Sequence, residues 1–386
     1  VCRGCACVCA LTIPDSGVIE LKVHEYARVQ TRTYMHLYAL VTGSTGTHTA
    51  DVLWYYGGRT DEYCSCKGFR TRKNCSHLRW VKGLPGKNLL GDILPIDDFI
   101  EREVKLYKSS LNALNELFDG APYSNDAITV FYGKPKVGKS LLVLQEAAYL
   151  ESEGYRVLII DTEGSLRESA RYWLPILRNR FNSKNKGIYV VKKLTLQVLG
   201  DFMGKKVTVV TKGNERKGGK TEFYVIGDTV DLLGEAIKKY KIDVVIVDSI
   251  TAPIRTAITA TQQNLPAKSD AEAFLMGRLL RYIDVYGVAV IVTAHASFNP
   301  ANPYETMASI RGGVSILHFA KNVVYIDRRE KKEIRDIRRF WLVRHGSNAE
   351  EFSKVSVARI TDIGYVDVEG DPTDYLTDAE IKRLGK

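Results

Sequence analysis

Residues Gly133 to Ser140 read GKPKVGKS, and this octet constrains the fold more than any other stretch of the chain. It matches G-x-x-x-x-G-K-[ST], in which glycine-rich backbone cradles phosphate, a lysine reaches the β- and γ-phosphates and a hydroxyl meets magnesium. The context agrees with the letters. Ala127 to Tyr132 is apolar, β-branched and aromatic, which predicts a buried strand. Lys139 to Glu153 carries Leu141, Leu142, Leu144, Ala148 and Leu150 at helical spacing, and Gly154 stops it. Strand, glycine loop and helix start together make a nest of backbone N–H groups at the positive end of a helix dipole. Gly133, Lys134, Pro135, Lys136, Val137, Gly138, Lys139, Ser140 and Leu141 are therefore the expected nucleotide-binding residues, with ATP as cofactor. Lys139 is expected on the phosphates and Ser140 on Mg2+.

From Leu106 to about Glu369 apolar strands alternate with helical patterns, which predicts an α/β fold: a mostly parallel sheet flanked by helices. Tyr155 to Asp161 reads as the second strand and Gly187 to Val191 as the third. A helix from Thr229 to Tyr240, entered at Asp228, leads into the apolar strand KIDVVIVDS. Asp248 ends that strand, the position from which a Walker B aspartate holds the magnesium-bound water. Ser269 and Glu272 have capping-box spacing, predicting a helix from there to Tyr286 that Gly287 closes. VAVIVTAHAS follows as another buried strand.

The chain of 386 residues is long enough for one large domain and one small one. No apolar run reaches membrane-spanning length, and no signal peptide stands out, so a cytoplasmic, nucleoid-associated protein without membrane contact is expected. The net charge of +10 favours an anionic partner, nucleic acid above all.

At the amino end, Cys2, Cys5, Cys7 and Cys9 crowd a leader over residues 1–19, either a metal cluster or a segment without structural role. Residues 20–93 read as a small domain: Leu37 to Val41, a turn through Gly43 to Gly46, then Asp51 to Tyr56. Cys64 and Cys66, then Cys75 and His77, form two pairs flanking a basic loop. Three thiolates and an imidazole suit a closed tetrahedral Zn2+ site, although cysteines also serve as small apolar fillers. C-x-C…C-x-H after a hairpin and before a helix (Ser76 to Val81) resembles the SWIM zinc finger, which implies a ββα unit that contacts DNA or protein. Lys67 to Lys87 is rich in Lys and Arg with Phe69 and Trp80 between, a mix for phosphate contact and stacking or a solvated rim. Residues 94–125 read as linker and start of the core, and 126–386 as the core.

LNELFDG before the octet, IDTEGSLR after its helix, VDSITAPIRT at the Walker B strand and VTAH at the next strand end resemble the RecA/RadA recombinase family, with archaeal RadA-like and RadB-like proteins among the similar ones. The resemblance spans roughly two-thirds of the chain. It implies a RecA-like ATPase core in which Glu163 activates water and His295 couples the γ-phosphate to a DNA-binding loop. It further implies DNA contacts at Arg255 in the loop after Walker B, at Lys268 closing that loop, and at Arg311 within a second loop from Ser297 to Gly313. RRFWLVRHGSNAEE looks like a RadB-type basic segment, which makes Arg344 a candidate finger onto a neighbour's γ-phosphate, with His345 beside it.

The chain also departs from that family. The helix-hairpin-helix amino domain of RadA is absent, and so is an F-x-x-A polymerisation motif in the linker, while FNPA at Phe298 falls inside the second loop. Lys205 to Ile226 looks inserted, a β-hairpin within 204–226 whose basic tip (Lys212, Arg216, Lys217, Lys220) suits a DNA wedge, a docking arm or a solvated turn. DRREKKEIRDIRR, after Ile326, alternates in sign and reads as an exposed hairpin. The expected function is a DNA-dependent ATPase that binds single- and/or double-stranded DNA and assists homologous recombination or repair, as a ring, a filament or a recombinase partner. The alternatives are a ring-forming helicase or packaging motor and a nucleotide-switched scaffold.

Overall fold

The computed structural model describes residues 22–30, 34–43, 46–55, 60–65 and 104–384, except 185, 213–219, 260, 262–263, 298–308, 311–313, 330–333, 347–351 and 353. The chain divides into two compact units, Val1–Glu103 and Val104–Lys386.

The first unit contains a four-stranded antiparallel meander, β1 (Lys22–Gln30), β2 (Tyr34–Gly43), β3 (Gly46–Tyr55) and β4 (Thr60–Cys64). The β2–β3 hairpin closes with Gly43 opposite Gly46, where the sequence placed its turn. Cys64 is buried at the end of β4, opposite Ala50. Cys66, Cys75, His77, the expected helix after them and the four cysteines of the leader lie outside the described residues. Among the described residues no group of three His, Cys, Asp or Glu side chains is placed to hold a metal.

The second unit opens with β5 (Leu106–Tyr107), α1 (Asn112–Leu117) and β6 (Tyr123–Ser124). Their Tyr107, Leu111, Leu114 and Tyr123 are buried, so 104–125 packs into this unit. Next come β7 (Ile128–Gly133), α2 (Lys139–Ser152), β8 (Val157–Asp161), α3 (Leu166–Arg180), β9 (Ile188–Lys192) and α4 (Leu196–Phe202). The hairpin β10 (Lys205–Lys212) and β11 (Lys220–Asp228) precedes α5 (Leu232–Tyr240), β12 (Val244–Asp248), α6 (Thr251–Ala257), α7 (Leu265–Tyr286) and β13 (Ala289–Ser297). The chain finishes with β14 (Ser309–Ile310), α8 (Val314–Phe319), β15 (Asn322–Asp327), β16 (Ile337–His345), β17 (Lys354–Thr361), β18 (Gly364–Asp367) and α9 (Asp378–Arg383).

The central sheet runs β18-β17-β16-β15-β7-β13-β12-β8-β9, with β14 added to the end of β13. From β15 to β9 every pairing is parallel, and β16 to β18 continue as an antiparallel meander. The expected α/β sheet flanked by helices is therefore present. Burial on both faces explains the near-continuous apolar strands: β7, β8 and β12 are buried throughout. Alternate residues feed two cores, Ile128, Val130 and Tyr132 on one face and Phe131 on the other. Between β7 and β8 in sequence the sheet inserts β13 and β12, so a crevice opens at the carboxyl ends of the strands, where ligands bind in such sheets.

Several local expectations are corrected. The helix α7 begins at Leu265, with Pro266 in its first turn, so Ser269 is not its cap and Glu272 faces the interior. The helix α5 is capped by Asp231, whose carboxylate accepts from the Gly234 N–H at 3.0 Å, rather than entered at Asp228. The inserted hairpin forms as read but extends to Asp228, and it is a separate two-stranded sheet. It is anchored to α7 through Phe223 against Phe274 and through the Thr221 N–H on Asn264 Oδ1. No described helix is long and apolar enough to cross a membrane.

Candidate active site

The register of the parallel strands gathers the polar ends. Asp248 closes β12 opposite Asp161 at the end of β8, and His295 on β13 lies opposite Gly133 at the end of β7. An open cleft of about 330 Å³ results, lined by Pro135, Lys136, Gly138, Lys139, Ser140, Leu141, Glu163, Asp248 and His295. Lys134 is exposed beside it and Val137 turns inward. Seven of the nine predicted loop residues thus border the cleft or its rim, and the other two, Gly133 and Val137, are buried.

The two motif glycines are required by space. A Cβ on Gly133 would collide with the Ile326 carbonyl oxygen of β15, because β7 and β15 approach closely there. Gly138 has φ +107°, a conformation other residues rarely adopt, and a Cβ there would meet the Tyr365 hydroxyl.

Lys139 is buried at the start of α2, where its Nζ donates to the carbonyls of Gly133 (2.9 Å) and Lys134 (3.0 Å). Burial pushes its acidity to about 8, against the pull of Asp248 and Glu163. Asp248 is also buried, which raises its carboxyl, while the Thr293 hydroxyl and that of Ser140 donate to it. The peptide bond from Asp248 to Ser249 is cis.

Glu163 follows β8, in a turn where Asp161 Oδ1 accepts the N–H groups of Glu163 (3.1 Å) and Gly164 (2.7 Å). Its Oε1 accepts from Ser249 Oγ at 2.7 Å and faces His295 Nε2 at 2.7 Å. Since a carboxylate only accepts, Nε2 carries the hydrogen. The contact with His295 holds the Glu163 carboxyl down at about 2, aided by Ser249 and Lys139 and opposed by desolvation. Both protein donors fall on Oε1, which leaves Oε2 to orient a third group over the cleft. His295 is itself buried, with its backbone N–H on Thr251 Oγ1 at 3.3 Å, and its Nδ1 has no hydrogen-bond partner among the described residues.

The remaining candidates lie elsewhere. Arg255 is exposed in the last turn of α6, and Lys268 sits in the first turn of α7, so both are on helices rather than in a loop. Arg311 and most of the expected second loop lie outside the described residues, although that segment leaves from Ser297 and returns to pair with it through Ser309. Arg344 is exposed near the end of β16, opposite Val323, and its guanidinium donates to the Leu317 carbonyl. Antiparallel β16 carries it to the sheet edge away from its own cleft, with His345 against Asn322 (3.0 Å).

Two arginines escaped the sequence. Arg338 and Arg339 are both buried on β16, so their segment is not simply an exposed hairpin. Arg339 Nη2 donates to Asp327 Oδ2 at 2.6 Å and its Nη1 to both Glu380 oxygens at 3.0 Å, which ties α9 to the sheet. Arg338 turns the other way and donates from Nε to the Val137 carbonyl at 2.6 Å. The available signal was the apolar strand IRRFWLV itself, since charges buried in such a strand need partners.

Comparison with known proteins agrees with this geometry. Residues 125–312, within the second unit, match the family model of the AAA domain. The chain is 25% identical over 218 residues to the DNA repair and recombination protein RadB of Methanosphaera stadtmanae, an alignment covering 56% of this chain and 79% of that relative.

Proposed function

We propose that the chain is a Mg2+-dependent, DNA-stimulated ATPase of the RecA/RadA type that binds single-stranded DNA and assists recombinational repair. The observation that carries this reading is the convergence of Lys139, Ser140, Glu163, Asp248 and His295 on one cleft at the carboxyl edge of a parallel sheet. The 25% identity to a protein named for DNA repair and recombination supports the repair role.

The backbone nest of 133–140 and Lys139 bind the triphosphate, and Lys139 exchanges its two carbonyl partners for phosphate oxygens. Ser140 and Asp248, already hydrogen-bonded to each other, present the hard oxygen donors that suit Mg2+. When bound, Mg2+ supplies positive charge against the phosphate oxygens. Glu163 is ionised at neutral pH and too acidic to be a strong base, so its part is to orient and polarise the attacking water through Oε2. His295 holds Oε1 and so fixes the direction of that carboxylate. Arg255, Lys268 and Arg311 are the proposed DNA contacts, and Arg344 the group offered to a neighbouring copy, which its position on the far edge allows. Cys64, Cys66, Cys75 and His77 are the proposed zinc ligands of the first unit, on the strength of their spacing.

Phosphate release from ATP by the purified full chain, with and without single-stranded DNA, tests the proposal. Turnover that rises with DNA is expected. No orthophosphate in either case would refute it, and turnover indifferent to DNA would remove the DNA half.

A further inference from the structure

We propose that Arg338 is a positioning residue that pins the Val137–Gly138 peptide so that its N–H faces bound phosphate. The inference rests on the nucleotide reading of the cleft and adds a component outside the phosphate-binding loop, about two hundred positions away in sequence.

The peptide plane between Val137 and Gly138 joins two differently placed residues. Val137 is buried, whereas Gly138 lines the cleft. In a planar trans peptide the carbonyl and the N–H point in opposite directions. The Val137 carbonyl points inward, to Arg338 Nε at 2.6 Å and the Tyr365 hydroxyl at 3.4 Å. The Gly138 N–H therefore points outward, to the side where phosphate oxygens bind.

The backbone alone does not fix that orientation. Gly138 sits at φ +107°, and glycine populates positive and negative φ with similar ease. A flip of this one plane would turn a carbonyl towards the phosphates and remove one donor from the nest. The inward carbonyl is held instead by a guanidinium, whose charge makes the hydrogen bond stronger than a neutral one.

Arg338 is suited to that task by what surrounds it. It is buried, and among the described residues no carboxylate lies within salt-bridge distance, so its other donors go to the carbonyls of Arg335 (2.8 Å) and Ile337 (3.0 Å). A buried cation whose donors go to three backbone carbonyls, with no ion pair among the described residues, is costly unless something nearby uses the charge. A phosphate on the other side of the same peptide does so. Arg339, the next residue, is fastened on the opposite face to Asp327 and Glu380, which stops β16 from sliding along the sheet.

The test compares the full chain with Arg338→Met and Arg338→Lys, measuring ADP and AMP affinities by titration calorimetry with Mg2+. The wild type should prefer ADP, whose β-phosphate reaches the nest. Loss of a charge-assisted hydrogen bond predicts ADP affinity about 10- to 100-fold weaker in Arg338→Met, with AMP little changed, and partial recovery in Arg338→Lys. A purely structural role would lower the thermal midpoint without changing the ratio of the two affinities. A folded Arg338→Met that keeps the wild-type ADP:AMP ratio overturns the inference. If Arg338→Met does not fold, Arg338→Lys carries the test: its ADP:AMP ratio should fall between one and the wild-type value, and a folded Arg338→Lys with the full wild-type ratio overturns the inference. Wild-type chain that binds neither nucleotide instead defeats the nucleotide reading, and this inference falls with it.

Discussion

Replacing Glu163 by Gln separates orientation of water from binding of nucleotide. The substitution keeps the size of the side chain and an oxygen that accepts from Ser249 Oγ and His295 Nε2, both at 2.7 Å in the wild type. It removes the charge. The wild-type carboxyl is held at about 2 against an ordinary 4.5, chiefly by His295. At about 1.4 kcal/mol per tenfold change in acidity this corresponds to roughly 3 kcal/mol. The side chain is 28% exposed, and screening reduces the expected loss of stability to roughly 1–2 kcal/mol. A depressed acid stabilises the fold above its unfolded value, and that contribution disappears as pH falls towards the folded value. The stability gap between wild type and Glu163→Gln should thus be constant near neutrality and close between about pH 4.5 and 2. Turnover should fall about 10²- to 10³-fold, the range for losing one positioned acid–base group. Nucleotide affinity should stay within about threefold, because the phosphate contacts belong to Lys139 and the nest. Urea unfolding across pH, phosphate release and calorimetry read the three quantities. Turnover within threefold of wild type, or binding lost in parallel with turnover, would refute the reasoning.

Two further outcomes follow from buried charges. Lys139 titrates near pH 8 without ligand and higher with phosphate beside it, so ATP affinity should weaken up to about tenfold per pH unit above 8, and Lys139→Arg should flatten that slope in a calorimetric series. Glu272 is buried on α7, neither of its oxygens has a hydrogen-bond partner among the described residues, and burial pushes its carboxyl up to about 7. The fold therefore holds a proton that the unfolded chain releases, so Glu272→Gln should be up to roughly 3 kcal/mol more stable than wild type at pH 8 and about equal at pH 4.5, by urea titration; an equal difference at both would contradict it.

The site was legible where local signals suffice. A strand, eight loop residues and a helix are contiguous, so Lys139 and Ser140 could be placed from their neighbours alone. Asp248 and His295 were legible because each closes an apolar run, and a parallel sheet buried on both faces leaves its strand ends as the natural place for polar groups. The helix starts were read less well. Ser269 and Glu272 have the spacing of a capping box, but Pro266 is compatible with a first turn and not with a following interior, and it marks the true start of α7. Charge alternation misled at Arg338 and Arg339 for a different reason. Sign along the chain reports solvent exposure only while the segment stays at the surface, and β16 is covered by Val137 and Tyr365 on one side and by α9 on the other. Those partners come from distant parts of the chain, which no local pattern contains.

The strand β13 joins the two halves of the proposed activity more tightly than proximity alone would. His295 holds the Glu163 carboxylate, and two residues later Ser297 pairs with Ser309, enclosing the segment 298–308 between them. Two strand residues span roughly 7 Å, with no flexible joint between. His295 is also fixed sideways through its N–H to Thr251 Oγ1, at the start of the helix that carries Arg255. His295 thus sits between the Glu163 carboxylate and the roots of both proposed DNA-contacting segments. Under the proposed function, coupling carried through it is reciprocal for the binding of nucleotide and of DNA. The proposed stimulation of hydrolysis by DNA would travel through that one strand, and undiminished stimulation in His295→Asn would refute that route.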